Sequence, residues 1–428
     1  MQHRNVWPVD RVVGDVDACG PAGRGSTASS GRRWTFGRRV SVRSGVVASY
    51  LALFVTGCGA GQEATIGASD SADAAPDTTR KVTTTSVPAP PLSTPSSVEP
   101  PVTDEAGPYR PWAVVELDEP GCMCFDGSAA AVFERDGDPR KVMIYFGGGA
   151  PCFTEEMCSG YRPSVAKALS GLRQDGGLFD LGHPDNPVAD YSAVYVPQCT
   201  GDLHLGDART EYSPDVIIEH RGAVNARAAV DRVVERFPDA TDIVVGGSSG
   251  GAPVTPIVGA LLADRLPDAR IVTLGDSAGA YPDVPGVNEL LNERWGTFEA
   301  RPDWPVNEGL TAADWGFASL YSQAGLHAPD MILARFDYAY DGAQANYAAL
   351  AGIDSDDLVE QIDATETQIE VAGVALSTYV APGAWHGVAT VEWLYEVEVD
   401  GVRLIDWVSE LVAGSAPDDV HCVACHDG

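Results

Sequence analysis

Ser249 is the residue around which a reaction could be built. It lies in Gly247-Ser-Ser-Gly-Gly251, a G-x-S-x-G pattern that follows the β-branched run Ile243–Val245. After it comes Ala252–Leu266, with apolar residues at helical spacing (Val254, Ile257, Val258, Leu261, Leu262) and Pro253 and Pro256 near the first turn, where proline is tolerated. Strand, glycine turn, serine, helix is the setting in which a serine hydroxyl is lifted to a sheet's rim as a nucleophile. The glycines remove Cβ atoms from a sharp turn, and a helix N-terminus favours developing negative charge. The plainer alternative is a glycine-rich connection without chemistry, and a short motif does not by itself decide between them.

Gly275-Asp-Ser-Ala-Gly279 has the same pattern after another strand-like run, but Pro282 and Pro285 stand where a helix would propagate. Proline inside a helix costs about 3 kcal/mol. Ser249 therefore ranks ahead of Ser277, and Asp276 and Ser277 are expected in a loop at the same rim.

A serine on such a scaffold needs an acid and then a base further along the chain. His327, His386, His421 and His426 follow Ser249. His386 follows a strand-like run, Ala375–Val380, in a Pro- and Gly-containing loop, Ala381-Pro-Gly-Ala-Trp-His-Gly387, whereas His327, beside Gly325 and Pro329, reads as an exposed loop residue. The acid stays open between Asp337 and Asp341, both beyond the apolar run Met331–Ala334, and either could instead cap the next helix. Upstream, Lys141–Phe146 runs into Gly147-Gly-Gly-Ala-Pro-Cys152, whose backbone N–H groups could converge on an oxyanion.

These pieces require a scaffold of alternating strands and helices. Strand-like Lys141–Phe146, Ala193–Pro197, Ile243–Val245 and Arg270–Leu274 alternate with the amphipathic helical stretches Gly222–Phe237 and Ala252–Leu266. That alternation predicts an α/β domain with a mostly parallel sheet and helices on both faces. The domain is expected over 109–428.

Two segments precede it. Residues 1–57 carry a net charge of +5 and end in a basic cluster (Arg38, Arg39, Arg43), an apolar run Val46–Val55, and Thr56-Gly57 before Cys58. This reads as a lipoprotein-type export signal with Cys58 as the lipidated residue. Residues 58–108 are rich in Ser, Thr, Ala and Pro, which cannot build a core, and are expected to be a disordered tether. The whole chain of 428 residues carries −33, leaving −38 beyond residue 57. So acidic a body argues against nucleic acid and anionic membranes as partners, and disfavours polyanionic substrates. Membrane contact is expected only through the lipid, outside the cytoplasm, and the protein as a monomer.

In this order the motifs resemble the pectin acetylesterase/Notum family of carboxylesterases with an α/β-hydrolase fold. The resemblance runs through Cys124-Phe-Asp-Gly-Ser128, Gly147-Gly-Gly-Ala-Pro-Cys-Phe153, Val196-Pro-Gln-Cys-Thr-Gly-Asp202, Gly247-Ser-Ser-Gly-Gly251, Asp276-Ser-Ala-Gly279 and Ala339-Tyr-Asp-Gly-Ala-Gln344. It implies Ser249 as nucleophile, Asp341 rather than Asp337 as acid, His386 as base, and an oxyanion hole from the N–H groups of Gly149, Ala150 and Gly250. It also implies hydrolysis of a carboxylic ester, such as an O-acetyl ester on a polysaccharide, with no metal or organic cofactor. Rival readings are a catalytically dead surface binding module and a lipase or deacylase for longer chains. Two departures stand out: Gly250 where the family has Ala, and Ala150-Pro151 where it has an aromatic residue.

Seven cysteines lie beyond Cys58, an odd number that leaves one free thiol or an external partner. Cys152 and Cys158 are spaced for a local bridge, and the resemblance implies Cys124 with Cys199. Cys422-Val-Ala-Cys-His426 matches a haem-attachment pattern, but a disulfide is expected there, with Cys122 as an alternative partner.

Overall fold

A computed structural model of the chain describes residues 110–163, 165, 176–353, 357–423 and 425. The leader, Cys58, the tether and His426 lie outside the described residues.

Among the described residues thirteen strands follow in chain order: β1 (Ala113–Glu116), β2 (Ala131–Arg135), β3 (Asp138–Phe146), β4 (Tyr191–Val196), β5 (Ala208–Ser213), β6 (Val216–His220), β7 (Asp242–Ser248), β8 (Arg270–Asp276), β9 (Ile332–Tyr338), β10 (Ser377–Ala381), β11 (Glu398–Val399), β12 (Val402–Arg403) and β13 (Val420–His421). Nine form one sheet in the order β1-β2-β4-β3-β7-β8-β9-β10-β13, while β5-β6 and β11-β12 are separate hairpins. Pairing is parallel from β4 through β13, and β1 and β2 extend one edge antiparallel. This mostly parallel sheet with helices is an α/β-hydrolase-like fold.

Strand periodicity explains how both faces are covered. Along β3, Val142, Ile144 and Phe146 enter a core with residues of the helices Gly222–Arg236, Thr255–Arg265 and Phe317–His327. Met143 and Tyr145 enter a second core with Trp407 and Val408 of the helix Leu404–Val412. Alternate residues therefore serve opposite layers, which is why the strand reads as a continuous apolar run.

Two boundaries differ from the sequence reading in ways that matter to the site. The helix expected from Ala252 begins at Thr255, after a single 3₁₀ turn over Ser249–Gly251. Ala252 and Thr255 close that turn through N–H bonds to the carbonyls of Ser249 and Ala252, while Pro253 has no N–H to contribute. The strand expected to end at Ala334 continues to Tyr338, so Asp337 sits inside β9 and Asp341 beyond it. Arg335 and Asp337 interrupt the apolar run but are buried with polar partners, among them Glu366 and Gln344.

Candidate active site

Ser249 follows the last residue of β7 and has φ 52°, a left-handed conformation that is uncommon outside glycine. The glycine run after β3 packs against it. A Cβ on Gly148 would stand 2.8 Å from the Ser248 carbonyl oxygen and 3.0 Å from the Ser249 Cβ, so only glycine lets the two turns approach this closely. The run is supported from behind by His204, whose Nε2 lies 3.0 Å from the Gly147 carbonyl. Burial pushes the His204 pKa down to about 4, leaving a neutral ring that can donate to that carbonyl.

Gly250 is constrained as well. A Cβ there would overlap the Gln198 Oε1 and the Gly149 carbonyl oxygen. Gln198 is 6% exposed, and its amide nitrogen reaches the Ala150 carbonyl at 3.4 Å. Glycine in place of the family's alanine therefore goes with a glutamine side chain filling the space beside it.

The two aspartates have different partners. Asp341, 0% exposed, takes the Nδ1–H of His386 on its Oδ2 at 2.7 Å. Its Oδ1 accepts the N–H groups of Ala343 and Gln344 and so caps the helix Gly342–Ala351. Helix capping and histidine contact are thus combined in one side chain. Asp337 instead accepts from the Gly279 N–H and the Gln344 Nε2, and burial raises its pKa to about 6. Burial works against the charged form of His386, but the hydrogen bond and charge of Asp341, with added fields from Asp276 and Asp337, raise its pKa above the ordinary histidine value.

The histidine loop is fastened at a second point. Asp276, the last residue of β8, accepts the N–H groups of Val388 and Ala389 and the hydroxyls of Ser248 and Ser277. Ser277 Oγ accepts the Gly387 N–H at 2.9 Å. Tyr145 completes the group through its hydroxyl contact with Ser248. Burial raises the pKa of Asp276 against this set of donors. Ser277 shares the left-handed conformation of Ser249, at φ 63°, but is 1% exposed with its hydroxyl engaged on both sides. No helix follows it directly; the next one opens at Pro285, a position where proline suits a helix start.

Ser249, His386, Gly149 and Gly250 line one cavity. Much of its lining is apolar, with Phe153, Leu203, Val287, Leu291, Trp295 and Phe317 among the residues. An aromatic wall is therefore present although Ala150-Pro151 supplies none. Leu203 reaches it from a backbone held at φ 57°. Two clusters gather metal-type donors among the described residues: Cys152, Cys158 and His220, and Asp363, Glu366 and His421. In the first the sulfurs are joined to each other, and in the second Glu366 already faces Arg335.

The family model described as pectinacetylesterase matches residues 105–296. That stretch belongs to the pectinacetylesterase family. The pectinacetylesterase match includes Ser249 and the glycine run and ends before Asp341 and His386. No curated protein matches the chain. Three disulfides join Cys124–Cys199, Cys152–Cys158 and Cys422–Cys425, leaving Cys122 half-buried with a free thiol among the described residues. Burial, then the nearby charge of Glu119, raises the Cys122 pKa to about 11, so the thiol is poorly reactive.

Sequence reasoning missed the role of Asp276 and the contributions of Tyr145, Ser248, Gln198 and the apolar wall. For Asp276 a signal existed, since it stands in one of the family-like motifs. For the wall there was none, because its residues are scattered from Phe153 to Phe317.

Proposed function

We propose that this esterase is a serine carboxylesterase in which Ser249, His386 and Asp341 act together. Ser249 Oγ attacks the ester carbonyl as His386 Nε2 takes its proton. The tetrahedral oxyanion is held by the N–H groups of Gly149, Ala150 and Gly250. Collapse breaks the carbon–oxygen bond to the leaving alcohol, which receives the proton from His386. Water then attacks the acyl-serine, His386 takes the water's proton and returns it to Ser249, and the acid is released. Asp341 orients the ring and stabilises its charged form throughout. The observation that carries this reading is the Asp341–His386 hydrogen bond in a cavity shared with a strained, partly exposed Ser249.

The substrate class we favour is an O-acetyl ester on a glycan. A longer acyl chain is the second reading, favoured by the number of apolar side chains that line the cavity with Ser249. The protein is further proposed to act outside the cytoplasm, anchored by lipid at Cys58. Three disulfides support an oxidising compartment.

A fluorophosphonate probe should label the wild type and Ser277→Ala but not Ser249→Ala. Labelling that survives in Ser249→Ala and disappears in Ser277→Ala would assign the nucleophile to the wrong serine. Rates on acetyl to decanoyl esters of one alcohol should peak at acetyl; a maximum at longer chains would favour the second reading.

A further inference from the structure

Trp385 is 59% exposed and immediately precedes His386. Its ring meets that of Trp393 nearly at right angles, with centroids 4.2 Å apart. The pair lines a groove with His386, Gly387, Val391 and Glu392. A large apolar ring left in water beside a reacting centre contributes little to the core, and such surfaces mark ligand grooves.

His386 lines both this groove and the apolar cavity that holds Ser249. In acyl transfer the histidine delivers its proton to the departing alcohol, so that oxygen must lie next to His386. With the acyl group in the apolar cavity, the groove is the second space that the histidine borders, and the alcohol is directed there. We propose that the Trp385–Trp393 groove is the subsite for the leaving alcohol, and that this alcohol is a neutral sugar ring. The inference rests on the esterase reading above and adds the substrate class.

The chemistry on each side fits. A pyranose presents a face of C–H groups that can lie flat on an indole ring while its hydroxyls remain at the rim. Glu392 offers an acceptor for those hydroxyls. Among the described residues Glu392 is also the only carboxylate lining the groove, and no lysine or arginine lines it. A uronate ring would meet that carboxylate on a body carrying −38 beyond residue 57. Arg162 lines a third space, which borders the site at Gly149 and Ala150 rather than at His386.

The test compares hydrolysis of an acetylated xylo-oligosaccharide, an acetylated oligogalacturonide and ethyl acetate, whose alcohol is too small to reach Trp385. For Trp385→Ala, the ratio of kcat/KM on the xylo-oligosaccharide to that on ethyl acetate should fall about tenfold. Trp385→Phe, which keeps a ring, should recover most of it. The wild type should prefer the neutral oligosaccharide to the uronate. A ratio that moves less than twofold in Trp385→Ala, or a preference for the oligogalacturonide, would overturn the proposal.

Binding is tested separately in Ser249→Ala, where unacetylated xylohexaose should change tryptophan emission and the added Trp385→Ala substitution should abolish that change. No emission change would overturn the subsite. An emission change in a protein that hydrolyses none of the three esters would uphold the subsite and sink the esterase reading instead.

Discussion

At the scale of single residues, the site depends on how negative charge is distributed around His386. Asp341 touches the ring, whereas Asp276 acts on it through the field and through the backbone of residues 388 and 389. General-base catalysis needs the neutral ring, so kcat/KM should rise with pH through a pKa above the ordinary histidine value. Asp276→Asn removes one of the charges that favour the protonated ring while keeping an acceptor for the loop. The acidic limb should therefore move to lower pH. A limb that stays in place while the rate falls would make Asp276 merely structural. Asp341→Asn should cost far more, about 10³- to 10⁴-fold in kcat, because the ring loses both its orientation and its counter-charge.

At the scale of elements, four adjacent strands deliver the site: β7 leads to Ser249, β8 ends at Asp276, β9 leads to Asp341 and β10 to His386. Parallel neighbours bring their C-terminal ends to one rim, so residues far apart in the chain meet without long loops. Part of this was legible in the sequence. The elbow at Ser249 is a local pattern, and His386 stands out by its loop. The acid stayed open on the residues alone because the choice depends on where β9 ends, and buried Arg335 and Asp337 disguise that end as a polar loop. The oxyanion side was legible as glycine but not in its packing. Gly250→Ala should lower kcat about a hundredfold, because its Cβ would push against Gln198 and the Gly149 carbonyl and displace the proposed amide donors. A variant with wild-type kcat would remove those amides from the oxyanion hole.

At the scale of the whole molecule, the acidic body has no charge-based attraction to an anionic membrane, and no helix among the described residues is long and apolar enough to cross one. Association should then depend on Cys58 alone. Cys58→Ser should shift the protein from the membrane to the soluble fraction, and unchanged partitioning would sink the lipid anchor. The other end of the chain bears on the site directly. Asp419 accepts the Thr378 N–H, β13 pairs with β10, and Cys422 N–H reaches the Val380 carbonyl, so this short segment lies along the strand that leads to His386. For anyone immobilising or tagging the enzyme, pulling on residues 419–422 would tug on the strand that carries the histidine.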